Sequence, residues 1–181
     1  MSKSMSQVVA DLDNFPYHPT YIHNHPILQS YHAFHVNGIP SILGYIPNTL
    51  ITTFPWPKDT WSIDSTPTPN PTITLMTPET ATPATRTATL LPTIRHMANT
   101  GILTGWRDET FPIYGPHGDL ILEIERAASA LFGIVTYGVQ MLCYTQTKPQ
   151  DKDVDVRLWI AKRSPQKQTY PGMLDTTAAG G

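Results

Sequence analysis

Cysteine is nearly absent from this chain of 181 residues: Cys143 stands alone. One thiol cannot close a disulfide within the chain or build a multi-thiolate metal site. Charge is scarce too, with charged residues at 14% against about a quarter in an average soluble domain. Lys and Arg number 12, Asp and Glu 14, so the formal charge is −2 and the isoelectric point about 6.4. A nucleic-acid binder usually carries a strongly basic face, so no nucleic-acid partner is expected. No apolar run approaches the roughly 18 residues a membrane span needs, so no membrane partner is expected either. The first twelve residues hold no secretory-type apolar stretch, and Lys3 is the only basic residue among them. The expected setting is reducing and cytoplasmic, with a mitochondrial address left open.

Proline, by contrast, is plentiful, at 18 residues. Pro67, Pro69, Pro71, Pro78 and Pro83 punctuate a Thr-rich stretch at about 64–86, which reads as a variable loop. Within it, 72–76 predicts a short edge strand. Upstream, Asn37-Gly38 follows the strand-like run 31–36 and predicts a hairpin with its return arm at 39–45. A short helix is expected from Pro47. Thr82-Pro83 has the form of an N-cap followed by proline at the first helical position. Leu90, Ile94 and Met97 then keep helical spacing up to Gly101, although Pro92 predicts a kink or a later start.

The second half reads as strands. Residues 111–114 and 120–125 flank the turn Gly115-Pro116-His117-Gly118. Leu120, Leu122 and Ile124 share one face, leaving a wet face with Asp119, Glu123 and Glu125. A single long strand is expected over 134–145, and an amphipathic one over 154–160.

Several groups have chemical potential. His18, His23, His25, His32 and His35 crowd the N-terminal segment, and His23-x-His25 has the spacing to bind a metal from one strand face. Surface or turn histidines are the plainer reading. Cys143, among Met141, Leu142 and Tyr144, reads as a buried core thiol. Trp106-Arg107-Asp108-Glu109 reads as an ion pair from Arg107 at a helix-to-strand junction. Arg157, Lys162, Arg163 and Lys167, with Trp159 and Tyr170, can hold a polyphosphate and a flat ring, or form a solvated strand end.

A family resemblance sharpens this picture. Trp106-Arg107-Asp108-Glu109, Glu125-Arg126-Ala127-Ala128, Leu131-Phe132-Gly133 and Tyr137-Gly138 occur in order. Leu158-Trp159-Ile160, Lys162-Arg163-Ser164, 167–175 and Ala179-Gly180-Gly181 follow. Together they resemble the thiamine pyrophosphokinase-related Nudix hydrolases of fungi and plants, most strongly after Gly105. The resemblance implies an α/β chain: an α+β N-terminal domain at 1–129, then the first strands of an incomplete Nudix α/β/α sandwich at 130–181. It implies Mg²⁺-dependent hydrolysis of a diphosphate-containing small molecule, an oxidised thiamine diphosphate or an 8-oxo-dGDP-like nucleotide, rather than kinase activity. Glutamates of the Nudix box would hold the metal on one helix. Gly180 or Gly181 matches the first glycine of that box, and none of its glutamates is in the sequence. The expectation is therefore a truncated, inactive chain with no catalytic or metal-binding residue and no cofactor of its own. Arg163 and Lys167 would approach phosphates, and Trp159 and Tyr170 would flank a ring. The competing expectations are a non-catalytic ligand-binding or interaction protein, and a metal-binding module built on the N-terminal histidines.

Overall fold

A computed structural model describes residues 4–12, 27–66, 70–146 and 156–180. Its elements are mixed helices and strands, an α+β arrangement. Backbone proximity divides the chain into two units, Met1–Ile134 and Val135–Gly181.

In the first unit, Ser4 and Gln7 open helix α1 (Met5–Leu12) by capping each other. The Gln7 amide donates to Ser4 Oγ at 3.3 Å, and the Ser4 amide donates to Gln7 Oε1 at 2.9 Å. The main sheet comprises β1 (Tyr31–Val36), β2 (Gly44–Pro47), β3 (Trp61–Asp64) and β4 (Thr72–Leu75). The short helix α2 (Asn48–Thr53) follows β2 directly, as expected. The strand order is β2-β1-β4-β3. β1 runs antiparallel to β2 and parallel to β4, and β3 closes the far edge antiparallel to β4.

Two expectations change here. The chain does turn at Asn37-Gly38, where Gly38 has φ +76°, but β2 begins only at Gly44. Asn37 is drawn elsewhere: its amide donates to Leu75 O at 2.9 Å and its Nδ2 to Thr77 O at 2.9 Å. β4 is an interior strand, not an edge. Prolines bracket it at Pro71 and Pro78, leaving every ladder donor within it intact. Pro71 even contributes its carbonyl, which accepts from the Ala33 amide at 2.8 Å.

Helix α3 (Pro83–Asn99) starts where Thr82-Pro83 predicts, with Thr82 Oγ1 accepting from the Thr85 amide at 3.2 Å. It runs through Pro92 as one element. Pro92 and Ala88, whose carbonyl loses a partner, both lie on the exposed side, where water can replace the missing donor. Leu90, Ile94 and Met97 are fully buried. Gly101, at φ +75°, ends the helix, and the Leu103 amide returns to Met97 O at 3.0 Å.

Strands β5 (Thr110–Tyr114) and β6 (Leu120–Glu125) form the expected antiparallel hairpin. The wet face expected of β6 is mostly covered. Ile121 and Glu125 are buried along with Leu122 and Ile124, because α3 lies against this strand. Thr87 Oγ1 of that helix accepts from the Glu123 amide at 2.8 Å. A 3-10 turn, Arg126–Ala128, then leads to Phe132. This ring is wholly buried and packs edge-on against Phe34 at 5.5 Å and against Trp56 at 6.3 Å. Backbones touch here: a Cβ on Gly133 (φ +58°) would meet Tyr45 O at 2.3 Å, and one on Gly44 would meet Phe132 O at 2.3 Å.

The second unit is built of short antiparallel ladders. β7 (Val139–Met141) pairs with β12 (Ala178–Gly180). β8 (Cys143–Gln146) pairs with β9 (Val156–Trp159), and β10 (Ala161–Lys162) with β11 (Leu174–Asp175). The single strand expected over 134–145 is broken: 134–138 is irregular and Leu142 separates β7 from β8. β9 keeps the alternation of the sequence, yet Leu158 is 54% exposed and Trp159 63%. Its first expected residues, Val154 and Asp155, lie outside the described set. No helix among the described residues is long and apolar enough to cross a membrane.

Candidate functional site

The basic and aromatic residues singled out from the sequence fall in the second unit. Arg163 directly follows β10. Its Nη1 forms an ion pair with Asp175 Oδ2, its Nε donates to Thr169 O at 3.1 Å, and its Nη2 donates to Thr169 Oγ1 at 3.2 Å. The Arg163 amide also donates to Met173 O at 2.9 Å. One residue thus clamps both ends of the loop 164–172. The Arg163 guanidinium, and secondarily the Thr176 amide, hold the Asp175 carboxyl below its ordinary range.

Lys167 and Tyr170 belong to this clamped loop, both exposed. Tyr170 takes the left-handed conformation, φ +49°, which is uncommon for an aromatic residue. Trp159 sits at the end of β9, and its carbonyl accepts from Thr177 Oγ1, which in turn accepts from the Cys143 amide. Arg163, Lys167 and Tyr170 therefore share one loop, and Trp159 borders a different ladder. Gly180 lies in β12 opposite Val139, and Gly181 is outside the described residues.

Other candidates resolve differently. Cys143 is exposed, not buried, because among the described residues β8 and β9 carry no second layer over them. Glu109 takes its ion partner from Arg126, at 2.9 Å, rather than from Arg107. That pairing follows from the backbone, where the Arg126 amide donates to Glu109 O at 2.8 Å. His32 is buried, with Nδ1 at 2.8 Å from Asn48 Oδ1 and Nε2 at 3.4 Å from Ser65 Oγ. Asn48 Nδ2 donates to Gln29 O at 2.9 Å, which turns Oδ1 toward the ring and assigns the proton to Nδ1. Burial lowers the His35 pKa. His18, His23 and His25 lie outside the described residues. Among the described residues no three His, Cys, Asp or Glu side chains gather as a metal site.

Between α3 and the β5–β6 hairpin lies a groove that the sequence alone does not reveal. Two cavities, of about 220 Å³ and about 470 Å³, share Arg95, Trp106 and Asp108 in their walls. The smaller is floored by Leu90, Leu91 and Ile94 and also walled by Thr87, Thr110, Glu123 and Glu125. Trp106 Nε1 donates to Asp108 Oδ1 at 2.6 Å, and Asp108 takes φ +56°. Glu125 Oε1 accepts from the Arg107 amide at 3.0 Å and the Ala127 amide at 3.2 Å. The dense run Trp106-Arg107-Asp108-Glu109 was the available signal. Only the fold shows that its Trp and Asp face a cavity completed by residues from a helix and a strand.

Residues 20–136, which span this groove, match the family model described as a domain of unknown function, DUF4743. The chain belongs to the DUF4743 family. Over 100 residues it is 40% identical to Nudix hydrolase 20, chloroplastic, of Arabidopsis thaliana, covering 55% of this chain and 25% of that protein. Nudix hydrolase 24, chloroplastic, of the same plant is 37% identical over 100 residues, covering 55% of this chain and 26% of the relative. The uncharacterized protein YJR142W of Saccharomyces cerevisiae is 39% identical over 77 residues, covering 42% and 21%. The DUF4743 chain thus matches about a quarter of the length of these curated relatives. Two of these three relatives are named Nudix hydrolases.

Proposed function

We propose that this DUF4743 chain serves a Nudix-type hydrolase that cleaves a diphosphate-containing small molecule in the cytoplasm, an oxidised thiamine diphosphate or an 8-oxo-dGDP-like nucleotide. The reading rests on one observation: identity of 40% and 37%, over 100 residues each, with two proteins named Nudix hydrolases. In this reading Mg²⁺, which neutralises diphosphate charge and activates water, is held by carboxylates that are not among the described residues. The chain's own contribution is recognition. Lys167 offers a point charge to a phosphate. Arg163 adds its remaining N–H groups while it holds the loop in shape, and Tyr170 and Trp159 offer ring faces. With no Nudix-box glutamate in the sequence, these 181 residues alone do not turn over substrate.

The test is phosphate release from 8-oxo-dGDP and from thiamine diphosphate analogues, with Mg²⁺, by the 181-residue chain. No release is expected. Any turnover would overturn the inactivity, and turnover that Lys167→Ala leaves unchanged would overturn the assigned role as well. The groove in the first unit favours a second reading, a ligand-binding domain without catalysis. It predicts saturable small-molecule binding in the same preparation.

A further inference from the structure

We propose that the groove between α3 and the β5–β6 hairpin binds a small planar organic cation, stacked on Trp106 and neutralised by Glu123 and Asp108. This goes beyond the hydrolase reading and uses none of its residues.

Four observations converge on this ligand class. First, the floor is apolar: Leu90 and Ile94 belong to the packed core beneath it, and half-buried Leu91 borders it. A flat ring loses little there and sheds its water. Second, the ionisable residues of the smaller cavity are Asp108, Glu123 and Glu125 against Arg95. The formal excess is anionic, which disfavours phosphates and carboxylates and favours a cation. Third, Glu125 is only 6% exposed, and among the described residues both hydrogen bonds to its carboxylate fall on Oε1. Oε2 takes neither of these bonds, and Glu125 lines the cavity. An N–H donor on the ligand would bond to this oxygen.

Fourth, Asp108 grips the indole by its edge. The bond from Trp106 Nε1 uses the ring's only donor, and the indole packs in part against the core while also lining both cavities. Trp is the best aromatic face for a cation. Asp108 makes this bond from a left-handed backbone, φ +56°, a conformation Asp tolerates better than most residues.

The probe is benzamidine, a flat cation with N–H donors, titrated into the full chain by calorimetry. Benzamide, its neutral near-isostere, is the control. The Trp106 indole Nε1–H resonance reports the site. The expected result is saturable binding of benzamidine that shifts this resonance, with benzamide about tenfold weaker or worse. Glu123→Gln should weaken benzamidine several-fold and leave benzamide unchanged. Trp106→Phe, which keeps a ring, should retain part of the affinity, and Trp106→Leu should lose it. Equal affinity for the two probes would overturn the proposal. So would binding indifferent to Glu123→Gln, or no shift of the Trp106 resonance at millimolar benzamidine. None of these outcomes bears on phosphate release, so failure here is distinguishable from failure of the hydrolase reading.

Discussion

The two units use similar side chains to opposite ends. In the first, Phe34, Ile73, Leu75 and Phe132 have no measurable exposure. In the second, Tyr137 is 79% exposed, Leu174 75% and Trp159 63%. Both have paired strands with regular antiparallel ladders. Backbone pairing is satisfied locally, between two short segments. Burial needs a further layer, which α3 supplies against β6 in the first unit and no described element supplies over β8 and β9 within the second. An alternating strand such as β9 is therefore evidence of a face meant to be covered, not of a face already covered.

The largest test of this contrast is a pair of truncations. Phe132→Ala should lower unfolding free energy by about 3–5 kcal/mol. Leu174→Ala should change it by no more than about 0.5 kcal/mol. Urea denaturation followed by tryptophan fluorescence measures both, and equal effects would erase the distinction. A smaller effect is expected of Gly133→Ala. Its Cβ would meet Tyr45 O at 2.3 Å from a backbone at φ +58°, and a loss of about 2–3 kcal/mol should result.

The subtlest test is acid titration. Burial lowers the pKa of His35, so its ring is favoured neutral in the folded first unit. That contribution is intact above the ordinary 6.5 and is lost as pH falls through the folded value. Asp175 in the second unit has its pKa lowered mainly by its bond to Arg163, so that contribution persists above the ordinary 3.8 and fades only below it. NMR titration should therefore show the first unit responding from near-neutral pH and the 164–172 loop only in strong acid.

Much of the first unit was legible in the chain. Thr82-Pro83 and Gly101 bracket α3 because caps and breakers act within a few residues. The 115–118 turn locates the β5–β6 hairpin for the same reason. What failed was everything set by partners far along the chain. β4 is central because Pro71 and Pro78 stand just outside it, and proline content alone made it look like an edge. The wet face of β6 is mostly covered by α3, down to a partly exposed Glu123. Glu109 found Arg126 through a strand-to-turn backbone bond, although Arg107 is nearer in sequence. In the candidate site, the positions Lys167 and Tyr170 could be read, whereas the clamp of Arg163 on Thr169 and Asp175 could not, since it needs the β10–β11 register.

The contact between Phe132 and Phe34 has a consequence for synthesis. The ring that seals the core belongs to a segment made roughly one hundred residues later than its partner. On a ribosome, β1 and β3 must wait with Phe34 and Trp61 lacking their Phe132 contact until 132–134 emerges. The aromatic cluster of Phe34, Trp56, Trp61 and Phe132 is then completed last. A nascent chain stopped anywhere before Phe132 should be a ready chaperone client, and one released after Ile134 should not.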